Sequence, residues 1–290
     1  MIRVSDEVRE ASAVVALETT LVAHGFPPGV GVQVALESER RVRDAGAVPA
    51  TIGILDGEIR VGLSERELER FGPSAKKAGP RELASCLVSG EVGATTVGGT
   101  LAVCRAAGIS FMGTGGIGGV HRGPAWDVSA DLLELLRTPC LVVSSGAKSL
   151  LDVPATCEFL ETLGVPVLGW RTDTVPRFYD AAGGPPVSAR VDSVDEVLRV
   201  SRAHWELGGC GVLLARPPDT SVDVDELIEE ALAEAEGSGV AGQAVTPYVL
   251  SRLHKRSGGA TLEANRQLIA ANAQLAAEVA AAAATAAGVS

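Results

Sequence analysis

Leu141-Val142-Val143-Ser144-Ser145-Gly146-Ala147-Lys148-Ser149-Leu150-Leu151-Asp152 passes from an apolar, β-type run through small residues toward an apparent helix. Open α/β sheets show this pattern at the carboxyl end of a strand, which is where they place their chemistry. A lysine at that point, partly withdrawn from water, would have its amine available for nucleophilic attack. The plainer alternative is a solvated lysine at a helix start.

Working outward, helical and β-type patterns alternate on both sides of this segment. Upstream, residues 13–17 form a buried strand with polar groups at its end, followed by the turn Pro27-Pro28-Gly29. Residues 30–45 recur at helical spacing, with Gly46 placed to cap the helix. Asp56-Gly57 between two alternating runs predicts a hairpin, because both turn residues must take positive φ. Ser64 with Glu67 gives a capping box for a short helix to Phe71. Helices are expected at 80–88, 97–107 and 129–137, and strands at 109–112 and 140–144. Downstream, helices are expected at 158–163, 194–207, 224–235, 247–254 and 261–287, with strands at 165–170 and 211–215. The alternation predicts one α/β domain over residues 1–290: a three-layer α/β/α architecture with a mixed, largely parallel sheet and an inserted β-hairpin.

The bulk composition narrows the function. Of 290 residues, 46% are apolar and 21% charged, while aromatics make up 3%, so the core must be built from Ala, Val, Leu and Ile. A net charge of −11 disfavours nucleic acid and anionic membranes as partners and favours small molecules. Five widely spaced cysteines support neither a disulfide framework nor a zinc site and suit a reducing compartment. The charged N-terminus lacks an apolar leader, and no apolar run is expected to reach the roughly 18 residues of a membrane span, so a cytoplasmic location is expected.

Several stretches could carry chemistry. The run from Gly113 to Gly123 contains a formal G-x-G-x-x-G, but His121 and Arg122 follow it and Pro124 postpones any helix to about Ser129, against a dinucleotide site. Its glycines suit either a backbone nest for a phosphate or sugar hydroxyl, or a tight loop requiring positive φ. After Trp126, Asp127 and Asp131 lie four residues apart around Ser129, either as helix capping or as an oxygen-rich site for a hard divalent cation such as Mn2+ or Mg2+. Glu18, at the end of an apolar run, is a salt-bridged structural acid or a proton-transfer group. Lys76-Lys77 belongs to the densest basic cluster, a solvated patch or a single anion site, and Thr95-Thr96 with Gly98-Gly99-Thr100 could share that anion.

Ala16 to Gly25, Gly46 to Ile52, Gly93 to Val97, Thr114 to Gly123, Asp127 to Leu132 and Ser145 to Asp152 together resemble the pseudouridine-5′-phosphate glycosidase (indigoidine synthase A-like) family, in order and with few gaps from about Val14 to the C-terminal helix. The resemblance implies reversible cleavage of the C–C glycosidic bond of pseudouridine 5′-phosphate to uracil and ribose 5-phosphate. The ring-opened ribose would be held as a lysine imine. It further implies a divalent metal, normally Mn2+, and a homotrimer. By resemblance the nucleophile falls on Lys148, the proton donor on Glu18 and the metal-binding aspartate on Asp127. Substrate contacts fall on Lys77, Val97, Ser129, Ala130 and Asp131, with Thr96 and His121 toward the phosphate and Asn265 toward the base. The segment before Lys77 looks shorter than the family's, which leaves Lys76 as an alternative.

The implied chemistry suits these residue types. A carbon–carbon glycosidic bond offers no leaving heteroatom to protonate, so the sugar needs an electron sink, and an imine from a lysine supplies one. Two carboxylates of the usual glycosidase kind would not suffice. The uracil carbon must also gain a proton, which calls for a positioned acid. Two other functions remain open from the residues alone: another lysine-imine lyase of a sugar phosphate, and a non-catalytic sugar-phosphate-binding protein.

Overall fold

A computed structural model of the chain describes residues 1–122, 127–240 and 245–288, the side chains of residues 246 and 247 excepted. The expectations placed on Gly123, Pro124 and Trp126 lie outside the described residues. In chain order the elements are β1 (Ile2–Val4), α1 (Asp6–Glu10), β2 (Val14–Leu17), a π-helical turn (Leu21–Gly25), α2 (Val30–Asp44), β3 (Val48–Leu55), β4 (Glu58–Val61), α3 (Glu65–Leu68), β5 (Lys76–Ala78), α4 (Leu83–Ser89), β6 (Gly93–Thr95), α5 (Val97–Ala107), β7 (Phe111–Gly113), β8 (Val120–His121), α6 (Ala130–Arg137), β9 (Leu141–Ser144), β10 (Leu151–Asp152), α7 (Val153–Thr162), β11 (Val167–Trp170), β12 (Ala189–Val191), α8 (Val194–Glu206), β13 (Val212–Ala215), α9 (Asp225–Gly237), α10 (Val245–Arg256) and α11 (Ala260–Gly288).

Nine strands lie in the order β1-β4-β3-β2-β7-β9-β13-β11-β12, and β6, with β5 beyond it, branches from β3. From β3 to β12 every neighbour along this path is parallel. Successive residues of a strand enter opposite cores: Val15 and Leu17 pack on one face with α2, α8 and α11, while Ala16 packs on the other with α5, α6 and α7. Both faces are thus covered by helices, which is why the strands are continuous aliphatic runs. The architecture is the expected three-layer α/β/α with a mixed, largely parallel sheet.

β3 is the junction that brings the basic segment to the site. Its first half pairs with β2 in parallel, and its second half pairs antiparallel with β4 and β6. The β3–β4 hairpin turns at Asp56 and Gly57, with φ of +54° and +73°, as the Asp-Gly pair requires. The Ser64–Glu67 capping box is present, although α3 ends at Leu68 rather than Phe71.

Other expectations are corrected. Lys148 does not begin a helix: a turn leads into β10, which pairs with β8, and α7 starts only at Val153 behind the Asp152 cap. Helix α4 starts at Leu83 rather than at residue 80, because Gly79-Pro80 belongs to the preceding turn. α11 is long and apolar enough to cross a membrane, contrary to expectation, the only such helix among the described residues. Over half of its most apolar window is buried, against β2, β7, β9, α2 and α8.

Candidate active site

The registers Leu17↔Gly113 and Gly113↔Val143 align the carboxyl ends of β2, β7 and β9. Glu18 therefore leaves the sheet beside Thr114, and the loop carrying Lys148 leaves one strand further on. Glu18 is buried, and the Thr114 hydroxyl donates to its Oε1 at 2.6 Å. Burial pushes the Glu18 pKa up, against the opposing effects of the nearby Lys148 charge and the Thr114 hydrogen bond. The Lys148 backbone is fixed by its N–H donating to the Ile117 carbonyl and by the Ile117↔Ala147 bridge. Arg122 clamps the same loop by donating to the carbonyls of Ser149 and Leu151, each at 3.2 Å. Lys148 Nζ has no hydrogen bond or ion pair among the described residues, so its amine is not tied up.

Strand alternation separates the two lysines of β5. Lys76 Nζ lies 3.2 Å from Glu91 on the outer side. Lys77 turns inward to the Glu18 and Lys148 side chains, where burial and the Lys148 charge pull its pKa down. The solvated-patch expectation therefore fits Lys76 and the exposed Arg81 of the same cluster, but not Lys77.

Two chambers meet at a waist formed by Glu18, Thr20, Lys77 and Lys148. One, of about 280 Å3, is largely apolar, walled by Leu21, Phe26, Phe178, Leu250 and Ile269, with His24 and Asn265 among them. The Asn265 Oδ1 is buried there without a partner among the described residues. The other, of about 380 Å3, is more polar and takes in Arg81, Thr96, Val97, His121, Asp127, Ser129, Ala130 and Asp131. Glu18, Lys77, Thr96, Val97, His121, Asp127, Ser129, Ala130, Asp131, Lys148 and Asn265 thus line these two adjoining chambers, whereas Lys76, Thr95, Gly98, Gly99 and Thr100 line neither.

Within the polar chamber some expected roles change. The carboxylate of Asp131 accepts from Gly98 N–H at 2.7 Å and from Gly118 N–H at 2.8 Å, so it already fills the N-terminus of α5. The Gly98 amide is therefore not free for an outside anion, and Asp131 does not face outward with Asp127 as a ligand pair. Ser129 caps α6 by accepting from Asp131 N–H, and Thr96 caps α5 by accepting from Gly99 N–H. His121 Nδ1 stands 3.8 Å from Asp127 Oδ2; burial pulls the imidazole pKa down, partly countered by that carboxylate. No group of three or more His, Cys, Asp or Glu side chains able to cage a metal occurs among the described residues. Asp127 is half-exposed in the chamber, a donor that fits a hard, water-rich divalent cation completed by substrate oxygens rather than a protein cage.

The glycine run serves a purpose other than the two expected. Gly113, Gly115, Gly116, Gly118 and Gly119 all lack positive φ, so neither the nest nor the strained-loop account holds. They are needed for close approach: a Cβ would lie 2.8 Å from Ala273 Cα at Gly113, 2.5 Å from the Phe178 ring at Gly116 and 2.3 Å from Ser129 Oγ at Gly118.

The sequence did not single out Thr20, His24, Phe26, Thr114, Phe178 or Leu250. Thr114 could have been found by aligning the strand at 13–17 with that at 109–112, which brings it beside Glu18. Phe178 carries no local signal, yet holds φ +62° at the apolar wall, a strained setting for a bulky residue. His24 Nε2 bonds the Ala75 carbonyl at 3.0 Å, and burial lowers its pKa, so a neutral ring with its proton on Nε2 fits the site.

Residues 3–282 match the family model for indigoidine synthase A like protein. A pseudouridine-5′-phosphate glycosidase from Geobacillus kaustophilus (strain HTA426) is 45% identical, over 95% of this chain and 96% of the relative. One from Roseiflexus sp. (strain RS-1) is 47% identical, over 96% and 94%. Among solved structures, the prealnumycin C-glycosynthase AlnA in complex with ribulose 5-phosphate is similar with a TM-score of 0.89 at 40% identity, covering 100% of this chain and 99% of that one. An indigoidine synthase A-like protein from Thermotoga maritima gives a TM-score of 0.89 at 36% identity, covering 98% and 97%.

Proposed function

The chain belongs to the indigoidine synthase A-like family, and we propose that it reversibly cleaves the C–C glycosidic bond of pseudouridine 5′-phosphate, giving uracil and ribose 5-phosphate. The observation that carries this is the meeting of Lys148, Glu18 and Lys77 at the waist between an apolar and a polar chamber. A nucleotide whose base and sugar phosphate differ in polarity would span the two, with C1′ at the waist. The uracil ring then sits among Phe26, Phe178 and Leu250, with Asn265 available to its polar edge. The phosphate lies in the polar chamber near Lys77, Thr96 and His121.

In this mechanism Lys148 Nζ attacks C1′, the C1′–O4′ bond breaks, and the proton shed by nitrogen passes to O4′, opening the ring. The nitrogen lone pair next drives the C1′–C5 bond apart. Its electron pair stays with the uracil, C5 takes the proton held by Glu18, and an iminium remains at C1′. Water adds to C1′, ribose 5-phosphate departs, and lysine and glutamic acid recover their protons. A buried acid with a raised pKa keeps its proton to higher pH than an ordinary carboxyl, which suits a donor to carbon. Mn2+ held by Asp127 would supply positive charge to substrate oxygens. The family resemblance supports a homotrimer, and five free cysteines suit the reducing cytoplasm.

Uracil release from pseudouridine 5′-phosphate, measured with Mn2+ and after chelation, tests the proposal. Purified protein should release uracil, more slowly without metal, and Lys148→Ala should lose at least about 10³-fold in rate while melting normally. Borohydride reduction during turnover should fix a pentose phosphate on Lys148. Trapping without uracil release would instead assign a different lysine-imine lyase, and binding with neither would assign a non-catalytic sugar-phosphate-binding protein.

A further inference from the structure

We propose that Thr114 is a positioning residue that reserves Oε1 of Glu18 and so confines the transferable proton to Oε2, a role that presupposes Glu18 as the proton donor described above. The placement follows from the sheet. β2 and β7 run parallel with Leu17 opposite Gly113, so the next residue of each strand, Glu18 and Thr114, projects side by side at the carboxyl edge. Thr114 is 1% exposed, and its hydroxyl donates to Glu18 Oε1 at 2.6 Å.

The hydroxyl has nowhere else to turn. Among the described residues its only side-chain hydrogen bond is the one to Glu18. A proton on Oε1 would force the hydroxyl to accept, and would leave its own proton unpartnered in a buried place. With Thr114 donating, the carboxylic acid carries its proton on Oε2. The Thr114 backbone is fixed as well: its N–H donates to the Val143 carbonyl, and its carbonyl accepts from Asn272 Nδ2 at 2.9 Å. Because the hydroxyl also stabilises the ionised carboxylate, its removal should raise the Glu18 pKa further.

The test compares Thr114→Val, which keeps the shape and loses the donor, with Thr114→Ser, which keeps the donor. In uracil release, Thr114→Val should lower kcat by about 10- to 100-fold with KM little changed. A general acid stops working as pH rises through its pKa, so the alkaline limb of the Thr114→Val profile should move to higher pH. Thr114→Ser should restore both the rate and the limb. A carbon-13 NMR titration of the Glu18 carboxyl, free of substrate, should show the same upward shift in Thr114→Val. An unmoved titration in folded Thr114→Val, or an equally shifted one in Thr114→Ser, overturns the assignment. Failure of the Glu18 role itself would show differently, as Glu18→Gln retaining wild-type uracil release.

Discussion

Glu18 is a carboxyl group whose proton affinity the fold has raised, and the same burial that suits it to donate a proton should be visible in stability. Its folded pKa lies above its unfolded value, because burial outweighs the Lys148 charge and the Thr114 hydrogen bond. The protonated side chain is therefore at its most favourable below the ordinary carboxylate range, and that contribution is lost as pH rises through the folded pKa. Glu18→Gln carries a neutral isostere at every pH. The variant should melt with the wild type in acid and become more stable by on the order of 1 kcal/mol at slightly alkaline pH, while losing uracil release. Melting curves across pH decide it; a gap that fails to open with rising pH would mean that Lys148 compensates the buried charge in full. At this scale much of the site was legible, since Glu18 directly follows an aliphatic run and Lys148 follows another after a few small residues, where a sheet delivers its side chains. Lys77 against Lys76 was not settled, because alternation fixes which two faces exist but not which one meets the cavity.

The elements show why the rest was hidden. Strands β5, β6, β8, β10 and β12 are two or three residues long and exist only through partners distant in sequence, so no local periodicity announces them. β3 reads as one strand, yet its halves serve different neighbours, and that division carries Lys77 to the site. The π-helical turn at Leu21–Gly25, which supplies His24 to the apolar chamber, reads locally as part of an apolar run. The glycine-rich run was visible but its purpose was not, since a glycine kept for space and one kept for positive φ look alike in sequence. Substitution separates the two. Gly113→Ala would drive a Cβ to 2.8 Å from the Ala273 backbone, where α11 lies on β7, and should cost about 1–3 kcal/mol. Gly90→Ala, at φ +71° with nothing within 4 Å, should cost about 1 kcal/mol from conformation alone. Chemical denaturation of both variants measures the difference, and equal losses would reject packing as the reason for the run.

Across the whole molecule, the sheet edge supplies the proposed reacting groups, and helices from the middle and the C-terminal part of the chain shape what they act on. The polar chamber is built by the starts of α5 and α6, whereas the apolar one is closed by α11 and by Leu250 of α10. On the proposed reading, base and sugar phosphate are received by different parts of the fold, and it should be possible to block one without the other. Leu250 borders the apolar chamber on a helix that packs mainly against α9, so a larger side chain can project into the cavity without disturbing the sheet. Leu250→Trp should lower kcat/KM for pseudouridine 5′-phosphate by at least about tenfold by taking the volume meant for the uracil ring. Ribose 5-phosphate alone, with borohydride, should still label Lys148 in this variant at close to the wild-type extent, because imine formation needs only the waist and the polar chamber. Peptide mapping by mass spectrometry reads the labelled fraction directly. Labelling lost in step with uracil release would show that both halves of the nucleotide share one chamber, and would withdraw the assignment of the base to the apolar side.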